Sequence, residues 1–428
     1  MRLRNLVWLG LAAVGAAAWP VAGSAQTIEE RIKILEDKIE ERGESASNAV
    51  GIDMHALVMT DFNWDFNSPP GDIPLETFNY KSNTFTLRDA AIFLSRQKED
   101  ESFGFALSVD FGDTAKAIQA RWANTTVSSA AGNQLIGQNL CGNDLGNNCF
   151  VELREAFLTY KTPLTIPTSE SAISLKAGKF VTLLGYEVIP TYTNFNPNIS
   201  TSFLFGFSIP FTHTGLLGHF PILDEVALDL GVVNGWDNVD DNNNSKTLLG
   251  GLGITPIKSL VFYLSGTFGA ENDATKYVNS SGVPGSGAGS ERGVISANGT
   301  WVVADMLSFV LDGTWANESS STRGANYATT GKETLNWYGV AGYAIVQPME
   351  KMQLALRGEW FDDPDGAQTG VDQTLWEVTP TFTYGLTDHL TFRTEYRHDE
   401  SNKRFFTTGD GATVRGQDLV FTELIAAF

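Results

Sequence analysis

Apolar and polar residues alternate in segments of about ten residues along the chain from residue 51 to residue 428. In the last segment, Val420, Leu424, Ala426 and Phe428 share one face. A period of two residues is typical of a β-strand whose two faces meet different environments. The predicted strands are 51–64, 83–96, 101–111, 151–161, 171–180, 212–220, 225–234, 246–255, 259–269, 291–303, 306–316, 333–346, 350–361, 372–384, 389–398 and 416–428.

The gaps between these strands alternate in length. They are short after even-numbered strands, as at 256–258 and 304–305, and mostly long and polar after odd-numbered ones, as at 271–290. Short turns on one side and long loops on the other are typical of outer-membrane barrels. The sequence therefore predicts an all-β fold, a transmembrane antiparallel β-barrel of about 16 strands over 51–428. A soluble solenoid or double sandwich is the alternative, but solenoids repeat a consensus, which is not found in this chain.

The N-terminus predicts export. Arg2 and Arg4 precede an apolar stretch over residues 6–22 and a small-residue exit at 23–25, so residues 1–25 form a predicted signal peptide. A membrane-anchoring helix is the alternative. The predicted location is the bacterial outer membrane, and an even strand count places both termini in the periplasm.

A short helix is predicted in the segment 26–50, ahead of the barrel. Ile28, Ile32, Leu35 and Ile39 follow the spacing of a coiled-coil seam. Two heptads are too short to associate alone, and isoleucine at both seam positions disfavours dimers. We expect a periplasmic coiled coil in a homotrimer. The alternative is a solvated helix.

Composition fits a barrel and excludes some partners. A hydrophobic content of 42% and a mean hydropathy of −0.10 suit a protein with a polar inner face and polar loops. The net charge of −21 argues against nucleic acid as a partner. Cys141 and Cys149 close a small loop of an exported chain and predict a disulfide. The residues predict no metal site and no cofactor.

The gap at 181–211 differs from the other loops because it is rich in apolar and aromatic residues. Such a loop must pack against something, and the lumen of a wide barrel is the available place. We expect an inward-folded third loop that narrows a pore. A loop over the rim or against a neighbouring subunit is the alternative. The candidate constriction residues are Tyr186, Glu187, Tyr192, Asn194, Phe195 and Asn196.

Charges of both signs occupy the predicted inner face of two late strands. Opposed charges on a lumen wall can create a transverse field that helps polar solutes to pass. The alternative is that they pair with each other and stiffen the wall. The candidate lumen-wall residues are Arg357, Glu359, Arg393, Glu395 and Arg397.

The sequence resembles the beta-barrel porins of the OmpL-like family over about residues 50–428. The resemblance is strongest in four runs: Lys176–Phe180, Gly185–Glu187, Pro210–Gly215 and Gly231–Asp237. The N-terminal helix also resembles that of trimeric porins with a coiled coil. The resemblance implies a channel and supplies no set of functional residues.

These observations predict a porin that allows passive diffusion of small hydrophilic solutes. A non-conducting structural or adhesin barrel is the alternative. A barrel enzyme is less favoured: His213 is flanked by Thr212 and Thr214, but adjacent residues of a strand point to opposite faces and form no dyad. The expected partners are outer-membrane lipid and the barrel-assembly machinery, for which Phe428 is the predicted C-terminal assembly signal.

Overall fold

The computed structural model describes residues 51–96, 101–120, 123–129, 132–138, 150–169, 171–241, 243, 245–271, 291–319 and 334–428. The predicted signal peptide, the coiled-coil seam and the two cysteines lie outside the described residues, so they remain predictions. Within the described part, no helix has the length and apolar character needed to cross a membrane.

Sixteen strands of the described chain form one closed antiparallel barrel. They are β1 (Asp53–Asp65), β2 (Thr84–Arg96), β3 (Phe103–Phe111), β6 (Val151–Thr165), β7 (Ala172–Val181), β8 (Thr212–Leu223), β9 (Val226–Val233), β10 (Thr247–Ile257), β11 (Leu260–Ala270), β12 (Glu291–Ala304), β13 (Leu307–Ser319), β14 (Thr334–Met349), β15 (Met352–Asp363), β16 (Gln373–Gly385), β17 (Leu390–Ser401) and β20 (Gly416–Ala427). Two hairpins lie in the loops: β4 (Ala123–Ser129) with β5 (Gly132–Gln138), and β18 (Phe406–Thr407) with β19 (Thr413–Val414).

The last strand closes the barrel on the first. β20 pairs with β1 from Leu57 opposite Ala427 to Asp65 opposite Leu419, so neither strand leaves an open edge there. The predicted fold class and strand number are confirmed. A helix, α1 (Asp113–Ala117), follows β3 directly.

The strands alternate between an apolar outer face and a polar inner face. On β15 the outward Leu354, Leu356 and Trp360 are 41 to 48% exposed, whereas the inward Arg357 and Glu359 are 0 and 5% exposed. An outer face of this kind matches the hydrocarbon of a bilayer. The inward charges must therefore be compensated inside the barrel.

The main buried core lies inside the barrel. Loop L1 (residues 66–83) and the third long loop, L3 (residues 182–211), meet there through three phenylalanines: Phe78 lies 5.9 Å from Phe205 and 5.5 Å from Phe211 between ring centres. Phe406, in loop L8 (residues 402–415), belongs to the same cluster and is fully buried.

Candidate functional site: the third loop inside the barrel

L3 leaves the wall after β7 and turns inward at Gly185. Gly185 has a φ of +83°, a conformation that residues with a Cβ rarely adopt. Its nitrogen donates to the Ser296 hydroxyl and its carbonyl accepts from the Asn298 amide, both at 3.1 Å. The nitrogen of Tyr186 donates to the Asp312 carboxylate at 3.2 Å. L3 therefore contacts the inner faces of β12 and β13.

Two polar side chains fold L3 on itself. The Glu187 carboxylate accepts from the nitrogen of Ser202 at 2.8 Å and from its hydroxyl at 3.0 Å. The Asn196 amide pairs with both backbone groups of Val188, at 2.8 and 2.9 Å. These contacts satisfy backbone groups that would otherwise be buried without partners.

Wall glutamates hold the second half of L3 through its backbone nitrogens. The nitrogens of Ile199 and Ser200 donate to Glu395 at 2.5 and 2.9 Å, and those of Phe203 and Leu204 donate to Glu359 at 2.7 Å each. A carboxylate that accepts from two successive nitrogens makes charge-assisted hydrogen bonds in a site with little water. These bonds fix the position of the chain on β15 and β17.

Wall arginines complement the glutamates by donating to L3 carbonyls. The bonds run from Arg357 to Ser200 at 2.7 Å, from Arg393 to Asn196 at 2.6 Å, and from Arg397 to Thr201 at 2.7 Å. On the wall itself, Arg357 pairs with Glu377 at 2.7 Å, Arg393 with Glu423 at 2.6 Å and Arg397 with Asp399 at 2.6 Å. The three arginines are at most 1% exposed.

The five candidate lumen-wall residues thus face the interior, and L3 covers them. Arg357 also pairs with Glu187 of L3 at 2.8 Å, which joins the loop to the wall through side chains as well. In this structure the wall charges contact L3 and each other rather than open solvent.

A proline creates one of the L3 contacts. Pro380 lies in the middle of β16, and neither it nor Thr379 pairs with β17, because proline has no N–H for the ladder. The Asn198 amide of L3 donates to the Thr379 carbonyl at 3.0 Å and to the Thr381 hydroxyl at 2.6 Å. L3 therefore satisfies a carbonyl at the gap in the pairing of β16 with β17.

The aromatic candidates of L3 pack against the wall. Tyr192 stacks on His55 of β1, with ring centres 3.9 Å apart and planes at 4°. Tyr186 lies 4.9 Å from Tyr343 of β14. Burial raises the pKa of both L3 tyrosines, so their hydroxyls stay neutral. Phe195 lies under the Arg393 guanidinium, 5.4 Å from the ring centre.

The turn between these aromatic residues is closed by Thr191 and Asn194. The nitrogen of Thr191 donates to the carbonyl of Asn194 at 2.7 Å, and the nitrogen of Asn194 donates to the Thr191 hydroxyl at 3.1 Å. Asn194 is 5% exposed, so it supports the turn from within.

A cavity of about 330 Å³ remains between the first half of L3 and the inner faces of β2, β3, β6, β11 and β12. At its edge Arg154 of β6 binds Asp110 and Asp89 and donates to the carbonyl of Pro190 in L3 at 2.5 Å. Sequence reasoning missed Arg154 as a loop anchor. Its inward register on β6 was the only available signal.

His213 occupies a buried position at the base of L3. Its Nε2 lies 3.1 Å from the Thr182 hydroxyl, and its Nδ1 lies 3.2 Å from the Gly235 carbonyl. The hydroxyl that it contacts thus comes from L3 and not from its sequence neighbours. No carboxylate among the described residues orients this ring.

Residues 51–428 match the protein family described as "Putative beta-barrel porin-2, OmpL-like". The chain belongs to this porin family. No curated protein sequence matches it. It is therefore a porin-type barrel of the bacterial outer membrane.

The fold is similar to those of several solved outer-membrane proteins. The outer membrane channel DcaP of Acinetobacter baumannii has a TM-score of 0.55 and 12% identity, over 89% of this chain and 98% of that one. The trimer form of OmpT, an outer membrane protein of Vibrio cholerae, gives 0.52 and 13%, over 88 and 99%. The anion-selective porin from Comamonas acidovorans gives 0.51 and 9%, over 88 and 99%.

Proposed function

We propose that this protein is a porin that allows passive diffusion of small hydrophilic solutes across the bacterial outer membrane, with L3 as the constriction. The observation that carries the proposal is the path of L3. Its backbone is hydrogen-bonded to β12 at Gly185, to β13 at Tyr186, and to β15 and β17 at residues 199–204. An anchored loop of this kind narrows a wide barrel without filling it, and the cavity beside L3 is the space left for solutes.

The proposal includes orientation and assembly. The long loops face outside, and both termini lie in the periplasm. The functional unit is a homotrimer, joined below the barrels by the seam of Ile28, Ile32, Leu35 and Ile39. The trimer form of OmpT, which shares this fold, supports the assembly. A monomeric mass in mild detergent, whether or not residues 27–43 are present, would refute the trimer.

Single-channel conductance in a planar bilayer tests the function. The intact protein is compared with a variant shortened between Tyr192 and Phe203. We expect the intact protein to conduct in potassium chloride and the shortened variant to conduct more. If the intact protein conducts in none of the salts tested, the porin proposal is refuted. If shortening changes neither conductance nor selectivity, the pore stands but L3 is not its constriction.

A second candidate is a non-conducting barrel, and the buried loop cluster favours it. Phe78, Phe205, Phe211 and Phe406 join L1, L3 and L8 in a contiguous apolar core inside the barrel, which would obstruct a water-filled path if it spanned the lumen. The same bilayer measurement separates the two candidates, because only the second is silent in the intact protein.

We infer that the barrel is a channel and not an enzyme. Outer-membrane catalysis would need a nucleophile or base that is held by a partner on the wall. His213 contacts a hydroxyl, but the ring is enclosed at 1% exposure and no substrate could reach it. Hydrolysis of phospholipid or peptide by the purified protein, lost on His213→Ala, would contradict this inference.

A further inference from the structure

The cavity beside L3 has an apolar and aromatic lining. Its L3 side carries Leu183, Tyr186, Val188 and Tyr192, all partly accessible, and Phe93 of β2 lies opposite. The rings of Phe93 and Tyr192 are 5.2 Å apart. A volume of about 330 Å³ is within the range of small-molecule sites, which are mostly apolar with a few placed polar groups.

Two of the charged residues at this cavity are neutralised within the protein. Arg154, at 1% exposure, is bound by Asp89 and Asp110. Glu187, at 3% exposure, accepts from Arg357 and Ser202. Neither charge is available to a solute, because each is buried against a partner.

Glu155 of β6 is the accessible charge of the lining. It is half-buried, and among the residues that the structure describes only the Val181 nitrogen donates to it, to Oε1 at 3.2 Å. Lys176 on the neighbouring strand lies outside the lining, with its Nζ 4.2 Å from the centre of the Phe157 ring. Lys176 and Arg154 lie near enough to interact with the Glu155 carboxylate electrostatically. No hydrogen bond from either of them to Glu155 is seen among the described residues, so the second carboxylate oxygen can accept from a donor in the cavity.

We propose that this cavity is a binding site for organic cations that carry an aromatic or branched apolar body. The ammonium group would contact Glu155, and the body would pack against the apolar and aromatic lining that Leu183, Tyr186 and Val188 of L3 supply. A carboxylate supplies charge, and aromatic faces attract cations, so the site selects for both properties together. This inference rests on the proposed function, because it names a solute class for the same lumen.

Binding is measured apart from conduction, so the two proposals can fail separately. Phenethylammonium is titrated by calorimetry into the detergent-solubilised intact protein, with methylammonium and benzoate as comparison probes. The variants are Glu155→Gln and Val188→Ser. The matched control is Glu225→Gln, which removes an exposed carboxylate in the turn before β9, outside the cavity.

We expect phenethylammonium to bind roughly tenfold more tightly than either comparison probe, which corresponds to about 1.4 kcal/mol. Glu155→Gln should remove the preference over benzoate, and Val188→Ser should reduce the preference over methylammonium. The control should match the intact protein. Equal binding of all three probes, or unchanged binding in Glu155→Gln, would overturn the site. A channel that conducts potassium chloride but does not bind phenethylammonium would refute this inference alone.

Discussion

The two sides of the lumen use their polar residues differently. On the side of β15, β16 and β17, wall charges are buried beneath L3, and Glu395 and Arg357 each bond to its backbone. On the side of β2, β3 and β6, L3 contacts the wall through the bond from Arg154 to the Pro190 carbonyl, and beside this contact it leaves a cavity in which Glu155 stays accessible. One side therefore binds residues 196–204 of L3 through their backbone, and the other side leaves an accessible cavity.

This difference follows from what an inserted loop requires. A loop inside a barrel brings unpaired N–H and C=O groups into a site with little water. The anchoring side supplies acceptors and donors of full charge, in pairs that compensate each other. On the other side Arg154, paired with Asp89 and Asp110, meets the same need at the Pro190 carbonyl, and the lining of the cavity beside it is mostly apolar. Each prediction below disturbs the anchoring side.

The largest effect is expected from the double variant Glu359→Ala and Glu395→Ala. It removes the acceptors of four L3 nitrogens, and each buried donor left unsatisfied costs about 1–3 kcal/mol. L3 should detach from β15 and β17, and single-channel conductance should rise severalfold. Protease cleavage within L3 should increase in parallel.

The control for this double variant removes two exposed carboxylates, Glu225→Ala and Asp372→Ala. Asp372 is 68% exposed at its side chain and pairs only with the surface Lys403 among the described residues. The control should conduct like the intact protein. Equal conductance in the double variant and its control would show that the wall glutamates do not hold L3.

The next effect is on stability and comes from Arg357→Met. This change leaves the buried carboxylates of Glu187 and Glu377 without their cation, and breaking a buried pair from one side costs about 3–5 kcal/mol. The urea midpoint, followed by tryptophan fluorescence in lipid vesicles, should fall. The urea midpoint of Arg357→Lys should lie between those of Arg357→Met and the intact protein, because lysine keeps the charge but lacks the planar guanidinium fork. A midpoint unchanged in Arg357→Met would contradict the anchoring role.

The sequence predicted the strands of the barrel wall better than the contacts that L3 makes with them. The strands were predictable because lipid outside and polar groups inside impose a period of two on each one. The inward loop was predictable because Phe203, Phe205 and Phe211 are out of place in a surface loop. Glu187 and Arg357, in contrast, are 170 residues apart and meet only once L3 has taken its path. No local pattern encodes that contact.

The roles of the wall charges were unpredictable for the same reason. Arg393 and Glu395 were recognised as inward-facing from strand register alone. Whether such residues face water or a loop depends on where L3 lies, and L3 itself depends on these residues. The cavity beside Glu155 is what remains after that packing, so a reading of the strands could not have located it.

A moderate effect is expected from Asn198→Ala, which acts at the gap in the pairing of β16 with β17. Loss of the amide leaves the Thr379 carbonyl without its L3 donor, at a cost of about 1–3 kcal/mol. The temperature of the heat-dependent mobility shift on gels should fall. The change Pro380→Ala in the same variant restores an N–H to the strand and should recover part of the loss, if the gap is what Asn198 compensates. No recovery would show that Asn198 acts only through the Thr381 hydroxyl.

The smallest effect concerns L1, which covers the anchoring side. Burial raises the pKa of Glu76 from 4.5 to about 8. Arg397 lies 2.9 Å away and opposes this shift, but its guanidinium already pairs with Asp399. A raised pKa in the docked state favours the protonated acid. Docking of L1 is therefore strongest below about pH 4.5 and weakens as the pH rises through about 8.

Protease cleavage of L1 should increase modestly between about pH 6 and about pH 9. The increase is modest because Phe78 still holds the loop by apolar packing. Glu76→Gln should make cleavage independent of pH over this range, whereas Glu225→Gln should leave the dependence unchanged. If L1 of the intact protein is cleaved equally at both ends of the range, Glu76 stays ionised beside Arg397. The negative charges of the anchoring side would then all be compensated by its arginines.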